Sequence, residues 1–293
     1  DESSLITKTL SKRMFLKILA IRFIPLLTIL LGSSLILKTL WTIISTKTIG
    51  WKEFKPLNLD LIDMVLLIAG GFVVLGEVVS PLFSISLVEL FSTNLSIQTS
   101  QSLKIFFGYI FMALPPLAIV YFQIKSLDGK FIFKKDYFQL NIYPIKNALI
   151  QGIRGWLMII PFVLLISLIM NSLIDNQNGS NPLLEIVLNN NNYFSFILLF
   201  LTTTLLAPLF EEIIFRGILL PILSRDFGII LGILISAFIF ALAHLSIGEM
   251  LPLLVLGIGL GITRSVSGSL LSSMFMHSLW NGLTFLNLFL LRT

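Results

Sequence analysis

Residues 194–223 have the sequence FSFILLFLTTTLLAPLFEEIIFRGILLPIL. This run is apolar on all sides and is longer than the roughly 20 residues that an α-helix needs to cross a bilayer. Its only charged side chains are Glu211, Glu212 and Arg216. The run therefore predicts a membrane-spanning helix that carries three charged groups at membrane depth.

Further apolar segments of similar character lie on both sides of this run. They cover residues 23–44, 62–90, 105–124, 156–174, 229–244, 250–262 and 270–290. Short segments of alternating polarity, which a transmembrane β-barrel requires, are absent from the sequence. The chain is 56% hydrophobic and 12% charged, against roughly 25% charged in soluble domains. We predict an all-α, polytopic transmembrane helix bundle of about eight spans.

The composition also limits the chemistry and the partners. The chain has no cysteine, which excludes disulfides, a thiolate nucleophile and thiolate metal ligands. The net charge of +5 is interpreted as topology information for a protein in a lipid bilayer, and no nucleic-acid partner is expected. We predict two regions: residues 1–190, with the tail, transmembrane spans and a basic loop 125–154, and residues 191–293, with the polar groups that indicate chemistry.

Lysine and arginine predict the sidedness of the loops. Residues 1–22 and 125–154 are basic, whereas residues 175–193 carry no lysine or arginine, so the first two are expected on the cytoplasmic side. If each apolar segment crossed the membrane once, the three crossings between these two basic regions would place them on opposite sides. Either the N-terminal segment does not span, or segment 62–90 turns back at a break; both alternatives stay open.

The three charged residues of segment 194–223 differ in their local partners. Glu212 and Arg216 are four residues apart on one helix face, in the favourable order for an ion pair. Glu211 points about 100° away from Glu212 and has no such partner. Ionisable groups inside a membrane are costly and usually mark function. We interpret Glu212 as a structural tether and Glu211 as the group that is free to act.

The chain has two histidines, and both lie on apolar segments. His244 follows Phe240 by four residues, and Asn281 follows His277 by the same spacing on one helix face. The alternative to a functional site is a buried polar network that only holds helices together. Because an unpaired Glu211 accompanies these groups in one small region, we favour a site.

The residue types indicate hydrolysis. A carboxylate can act as general base on water, a histidine can bind that water, hold a metal or protonate a leaving amine, and an asparagine can donate to an oxyanion. Alternatively, Glu211, His244 and His277 supply three ligands of a catalytic site with an open fourth position. One divalent metal, with zinc favoured, or no metal at all would be compatible with this set. The H-E-x-x-H helix of familiar metalloproteases is absent.

Three motifs resemble those of the CPBP intramembrane proteases, the CAAX-protease and bacteriocin-processing family, also called Abi or Rce1-like. The motifs are Glu211-Glu212-x-x-x-Arg216, Phe240-x-x-x-His244 and His277-x-x-x-Asn281. They are intact and in order, and 33 residues separate Glu211 from His244 and His244 from His277. The resemblance covers roughly residues 195–290.

This resemblance implies a membrane-embedded endopeptidase, described in the family as a metalloprotease, whose substrate is a membrane-bound protein or peptide. Glu211 would be the water-activating base, His244 and His277 would complete the site, and Asn281 would be the oxyanion donor. Glu212, Arg216 and Phe240 would have supporting roles. A further similarity, to members from photosynthetic bacteria and plastids, implies a bacterial inner membrane or a thylakoid or plastid-type membrane.

Two other functions are compatible with such a bundle. A non-catalytic scaffold or assembly factor would use the same fold, but it would have no need for an unpaired Glu211. A proton or small-molecule transporter could also use glutamate and histidine, but the polar groups lie in one half of the chain, with no second half to mirror them.

Three features outside the motifs also lead to predictions. Glu77, inside an apolar segment, could pair with a cation from another span or could mark a water-filled cavity, and we favour the pairing. Arg264, at the end of a segment, is expected to anchor it at the cytoplasmic surface. Gly257, Gly259 and Gly261 are expected to permit close helix packing.

Overall fold

A computed structural model of the protein describes residues 19, 23–54, 59–91, 95–128, 139–140, 144–173 and 192–291. Within these ranges the chain forms eight continuous helices and no strand. We number them in chain order. They are α1 (Ile24–Thr46), α2 (Leu61–Leu90), α3 (Ile97–Asp128), α4 (Ile145–Leu173), α5 (Tyr193–Phe227), α6 (Ile229–Ala243), α7 (Ile247–Ser267) and α8 (Leu270–Leu291).

Each of the eight predicted apolar segments corresponds to one of these helices. Six of them, α1 to α5 and α7, are long and apolar enough to cross a membrane. Helix α6 is apolar but only 15 residues long. The predicted fold class, an all-α polytopic helix bundle, is confirmed, and the protein is an integral multi-pass membrane protein.

Within helices α2 and α5, three stretches are wound more loosely than an α-helix. In each of them the backbone hydrogen bonds run from residue i+5 to residue i, as in a π-helix. The stretches are Leu66–Val79, Thr202–Leu206 and Ile213–Leu219, and they are followed by Ser80-Pro81, Ala207-Pro208 and Leu220-Pro221. Proline lacks an N–H, and its ring collides with the carbonyl four residues earlier. A wider turn before each proline lets the helix continue.

Helix α2 is therefore unbroken at Gly70-Gly71 and at Pro81. The alternative in which this segment turns back is not supported. Most of the basic tail 1–22, much of the basic loop 125–154 and nearly all of residues 175–193 lie outside the described residues. The sidedness of the loops and the division near residue 190 stay predictions.

Helix α7 is packed closely between α6 and α4 through its glycines. A Cβ atom on Gly257 or Gly261 would lie 3.0 Å from Ala237 or Ile233 of α6, respectively. A Cβ atom on Gly259 would lie 2.7 Å from Ile159 of α4. Side chains larger than hydrogen would push the helices apart, so the prediction of close packing is confirmed.

The prediction that Arg264 anchors α7 at the membrane surface is wrong. Its side chain is 1% exposed, because the non-helical residues 51–54 and 139–140 fold over the end of the helix. The guanidinium lies over the ring of Phe54 at 4.9 Å and donates a hydrogen bond of 2.8 Å to Gln139 Oε1. Arg264 therefore fixes these two segments to α7.

Candidate active site

Helices α5, α6 and α8 carry the predicted site residues. Glu211 and Glu212 lie on α5, in the short α-helical piece Ala207–Glu212 between two π-helical turns. His244 caps the C-terminal end of α6, and His277 lies inside α8. Most of helix α5 is buried around this level: Ile214 and Phe215 have no exposed surface, whereas Leu209 is exposed.

A buried hydrogen-bond network is centred on Glu212. Its Oε1 atom accepts a hydrogen bond from Arg216 Nη1 at 2.9 Å and another from His277 Nδ1 at 3.1 Å. Arg216 Nη2 also donates to the backbone carbonyl of Gly257 at 3.2 Å. These side chains are at most 3% exposed. The ion pair expected from the sequence spacing is present, and it also holds α8 and α7 against α5.

The hydrogen bonds of the two histidines define their tautomers. His277 Nδ1 faces the Glu212 carboxylate, and His244 Nδ1 lies 2.8 Å from the carbonyl oxygen of Phe240. Both partners are acceptors, so each Nδ1 carries the proton and donates. In the neutral rings the Nε2 atoms are therefore acceptors.

Both Nε2 atoms face Glu211. His277 Nε2 lies 3.8 Å and His244 Nε2 lies 4.0 Å from Glu211 Oε2. Glu211 Oε2 is buried and has no hydrogen-bond partner within the described part of the chain. Three acceptor atoms thus converge without a donor between them. A water molecule has two O–H donors and fits this arrangement.

The same three acceptors are chemically suitable for zinc, because carboxylate and neutral imidazole are its usual ligands beside thiolate. Their spacing is a weaker match. Ligands about 2.0–2.1 Å from a tetrahedral zinc would lie about 3.3–3.4 Å from one another, which is less than the 3.8 Å and 4.0 Å found here. No group of three His, Asp or Glu side chains among the described residues has the arrangement of a metal site.

Asn281 is connected to the site through the backbone of α5. Its side-chain Nδ2 donates a hydrogen bond of 3.0 Å to the carbonyl of Thr203. That carbonyl has lost its usual partner, because the N–H of Ala207 bonds to Thr202 instead, and Pro208 has no N–H. One N–H of Asn281 thus stabilises the π-helical turn, and the second remains for another acceptor.

Phe240 packs against the network from α6. Its ring lies 4.3 Å from the Arg216 guanidinium carbon, 4.7 Å from the His244 ring and 5.8 Å from the His277 ring. A cation over an aromatic face is attracted by the ring. The motif resemblance indicated Phe240, whereas the carbonyls of Gly257 and Thr203 were missed because backbone acceptors leave no signal in a sequence.

The helices and their side chains thus define a membrane protein with a glutamate and two histidines converging in the interior of the bundle. Residues 193–283 match the family model described as type II CAAX prenyl endopeptidase Rce1-like. This match confirms the resemblance inferred from the three motifs for residues 193–283, and the matched family is a protease family. No curated protein and no solved structure matches the chain.

Proposed function

We propose that the protein is an intramembrane endopeptidase that hydrolyses a peptide bond of a membrane-associated protein or peptide. The observation that carries this proposal is the convergence of His244 Nε2 and His277 Nε2 on the unpartnered Glu211 Oε2. Glu211, His244, His277 and Asn281 are the proposed catalytic residues. Glu212, Arg216 and Phe240 hold them in place.

In this mechanism a water molecule donates hydrogen bonds to Glu211 Oε2 and to a histidine Nε2. Its oxygen attacks the carbonyl carbon of the scissile bond while Glu211 takes one proton as general base. The resulting oxyanion accepts the free N–H of Asn281. When the C–N bond breaks, Glu211 returns the proton to the leaving amine, so the carboxylate is ready for the next cycle.

The fixed tautomers explain why two histidines are useful. An Nε2 atom without a proton orients water but cannot donate to an oxyanion. Glu212, held by Arg216, keeps the proton of His277 on Nδ1, and the Phe240 carbonyl does the same for His244. The donor for the oxyanion must therefore come from elsewhere, and we assign this role to Asn281, one helical turn after His277 on α8.

The experiment compares Glu211→Gln with the parent, purified in detergent. Gln is nearly isosteric and cannot act as a base. We expect cleavage of a membrane peptide to fall about 10²–10⁴-fold, with the melting temperature preserved. Glu89→Gln is the matched control, because it removes a partly exposed carboxylate of α2 that pairs with Lys104. A Glu211→Gln variant that melts and cleaves like the parent would refute the mechanism and favour the scaffold alternative.

A divalent metal, with zinc favoured, is the alternative to direct water activation. Glu211, His244 and His277 would hold it, and the metal would polarise the substrate carbonyl and activate water. The same cleavage assay, with and without a chelator, distinguishes the metal mechanism from direct activation of water by Glu211. Full activity in chelator supports the glutamate mechanism, whereas loss of activity that zinc restores supports the metal.

A further inference from the structure

Glu77 is a charged residue of α2 that the three motifs do not include. It is half-buried within an apolar helix, and it lies outside residues 193–283, which match the family. The sequence predicts that a cation from another span pairs with it. Within the described part of the chain, Glu77 has no hydrogen bond and no ion pair, so this prediction is not supported.

The packing of α2 brings the turn that precedes Glu77 against the part of α5 that carries Glu211. Phe72, one π-helical turn before Glu77, stacks on Phe210 at 5.8 Å and meets Phe215 edge-on at 5.7 Å. These two rings flank Glu211 and Glu212 along α5. A Cβ atom on Gly76 would lie 3.1 Å from the backbone oxygen of Met112, so α3 also packs closely against α2 next to Glu77.

Electrostatic contacts connect Glu77 with the candidate active site. Its carboxylate lies within electrostatic range of Glu211 and of the His244 ring. Tyr109, a turn before Met112 on α3, interacts with Glu211 and Glu77. Together with the stacking of Phe72 on Phe210, the neighbour of Glu211, this places Glu77 and Tyr109 near the catalytic residues, on the side of the N-terminal helices.

The groups around this space are nearly all acceptors. The acceptors are the Glu77 carboxylate, Glu211 Oε2 and the two histidine Nε2 atoms, and the Tyr109 hydroxyl can both donate and accept. The Glu212 charge is neutralised by Arg216 at 2.9 Å. Among the described residues, no lysine or arginine pairs with Glu77 or Glu211, and electrostatic interactions are strong in a region of low dielectric. The side chain of His244 is 29% exposed, so the space is open on that side.

We propose that Glu77 determines specificity by binding a positively charged side chain of the substrate, lysine or arginine, close to the scissile bond. This inference rests on the proposed endopeptidase function. Lysine and arginine carry only N–H donors, which complement a space bordered by acceptors. An inorganic cation is disfavoured, because no group of three His, Asp or Glu among the described residues has metal-site geometry.

Binding tests the inference without relying on cleavage. The probes are two apolar membrane peptides of about 20 residues, identical except for one central Lys or Gln. Each is titrated onto purified Glu211→Gln protein, with and without Glu77→Gln. We expect the Lys peptide to bind about 10- to 100-fold more tightly, as for one hydrogen bond to a charged group, and Glu77→Gln to abolish this preference. Glu89→Gln should leave it unchanged.

Equal binding of both peptides to the Glu211→Gln protein would overturn the inference, as would a preference that survives Glu77→Gln. A preference that appears only with an added divalent metal would also overturn it, because the cation would then be the metal. A Glu77→Asp variant should keep part of the preference, which excludes a mere loss of folding. Because the binding measurement involves no cleavage, its result is independent of whether the protein has the proposed protease activity.

Cleavage provides the second readout. For the otherwise unmodified protein, Glu77→Gln should lower kcat/KM about 10- to 100-fold for the Lys peptide and leave the Gln peptide nearly unchanged. An equal loss of kcat for both peptides would show that Glu77 acts on the catalytic groups and not on the substrate, and would refute the specificity role.

Discussion

Replacement of Arg216 by alanine should destabilise the folded protein strongly. The guanidinium is 1% exposed, donates to Glu212 Oε1 at 2.9 Å and to the Gly257 carbonyl at 3.2 Å, and lies 4.3 Å from the centre of the Phe240 ring. Glu212 Oε2 has no hydrogen-bond partner among the described residues. Without Arg216, only the uncharged donors His277 Nδ1 and the Ser273 hydroxyl would remain beside a fully buried carboxylate.

Removal of one partner of a buried ion pair costs about 3–5 kcal/mol. With about 2–4 °C of melting temperature per kcal/mol for a domain of 150–250 residues, the melting temperature should fall by roughly 6–20 °C. Stability, and not the catalytic step itself, is expected to suffer first. Arg216 has no contact with Glu211 Oε2, whereas it holds Glu212, Gly257 and Phe240 in position.

The assay is thermal unfolding of purified protein in detergent, together with the folded yield. Arg225→Ala is the matched control: it removes an arginine from the same helix whose side chain is 37% exposed, pairs with Asp226 and donates to the Leu59 carbonyl at 3.0 Å. It should lower the melting temperature much less than Arg216→Ala, because exposed ion pairs contribute little. The double variant Glu212→Gln, Arg216→Met should regain much of the stability, because both charges are gone. An Arg216→Ala variant with parental melting and yield but no activity would refute the reasoning and assign Arg216 a direct role in catalysis.

Three further outcomes follow from the same contacts. His244→Ala should reduce cleavage about 10²–10⁴-fold with little change in melting, because its side chain is 29% exposed; parental activity would remove it from the mechanism. Asn281→Ala should lose about 10²–10³-fold in cleavage as an oxyanion donor and should also lower the melting temperature, because the Thr203 carbonyl loses its donor; a change in melting alone would leave it a purely structural role. Gly259→Val should destabilise by about 1–3 kcal/mol or more through overpacking against α4, whereas Gly248→Ala, with no atom within 4 Å of the new Cβ, should not; equal melting of the two variants would contradict the close packing.

The sequence predicts the helices well, because a run of some 20 apolar residues has few alternatives to a membrane helix. It also predicts the pair Glu212–Arg216, because residues four apart share a face within a single helix. The sharing of Glu212 Oε1 with His277 depends on how α8 packs on α5, and no spacing along the chain contains that information.

The π-helical turns were only partly visible in the sequence. Pro81 and Pro208 indicate a disturbance, but whether a helix breaks or widens depends on what satisfies the released carbonyls. Asn281 does this for Thr203, from a helix more than 60 residues later in the chain. The prediction for Arg264 was wrong for a similar reason: its position at a helix end says nothing about the segments that fold over it.

The most direct test of the central claim is a comparison of membrane proteomes from cells that carry the parent protein, Glu211→Gln or Glu89→Gln. If Glu211 activates water for peptide hydrolysis, at least one membrane protein should accumulate uncleaved with Glu211→Gln, and its shorter products should disappear, while Glu89→Gln resembles the parent. Glu211→Gln cells that contain the folded variant at the parental level and show the same cleavage products as the parent would contradict the claim.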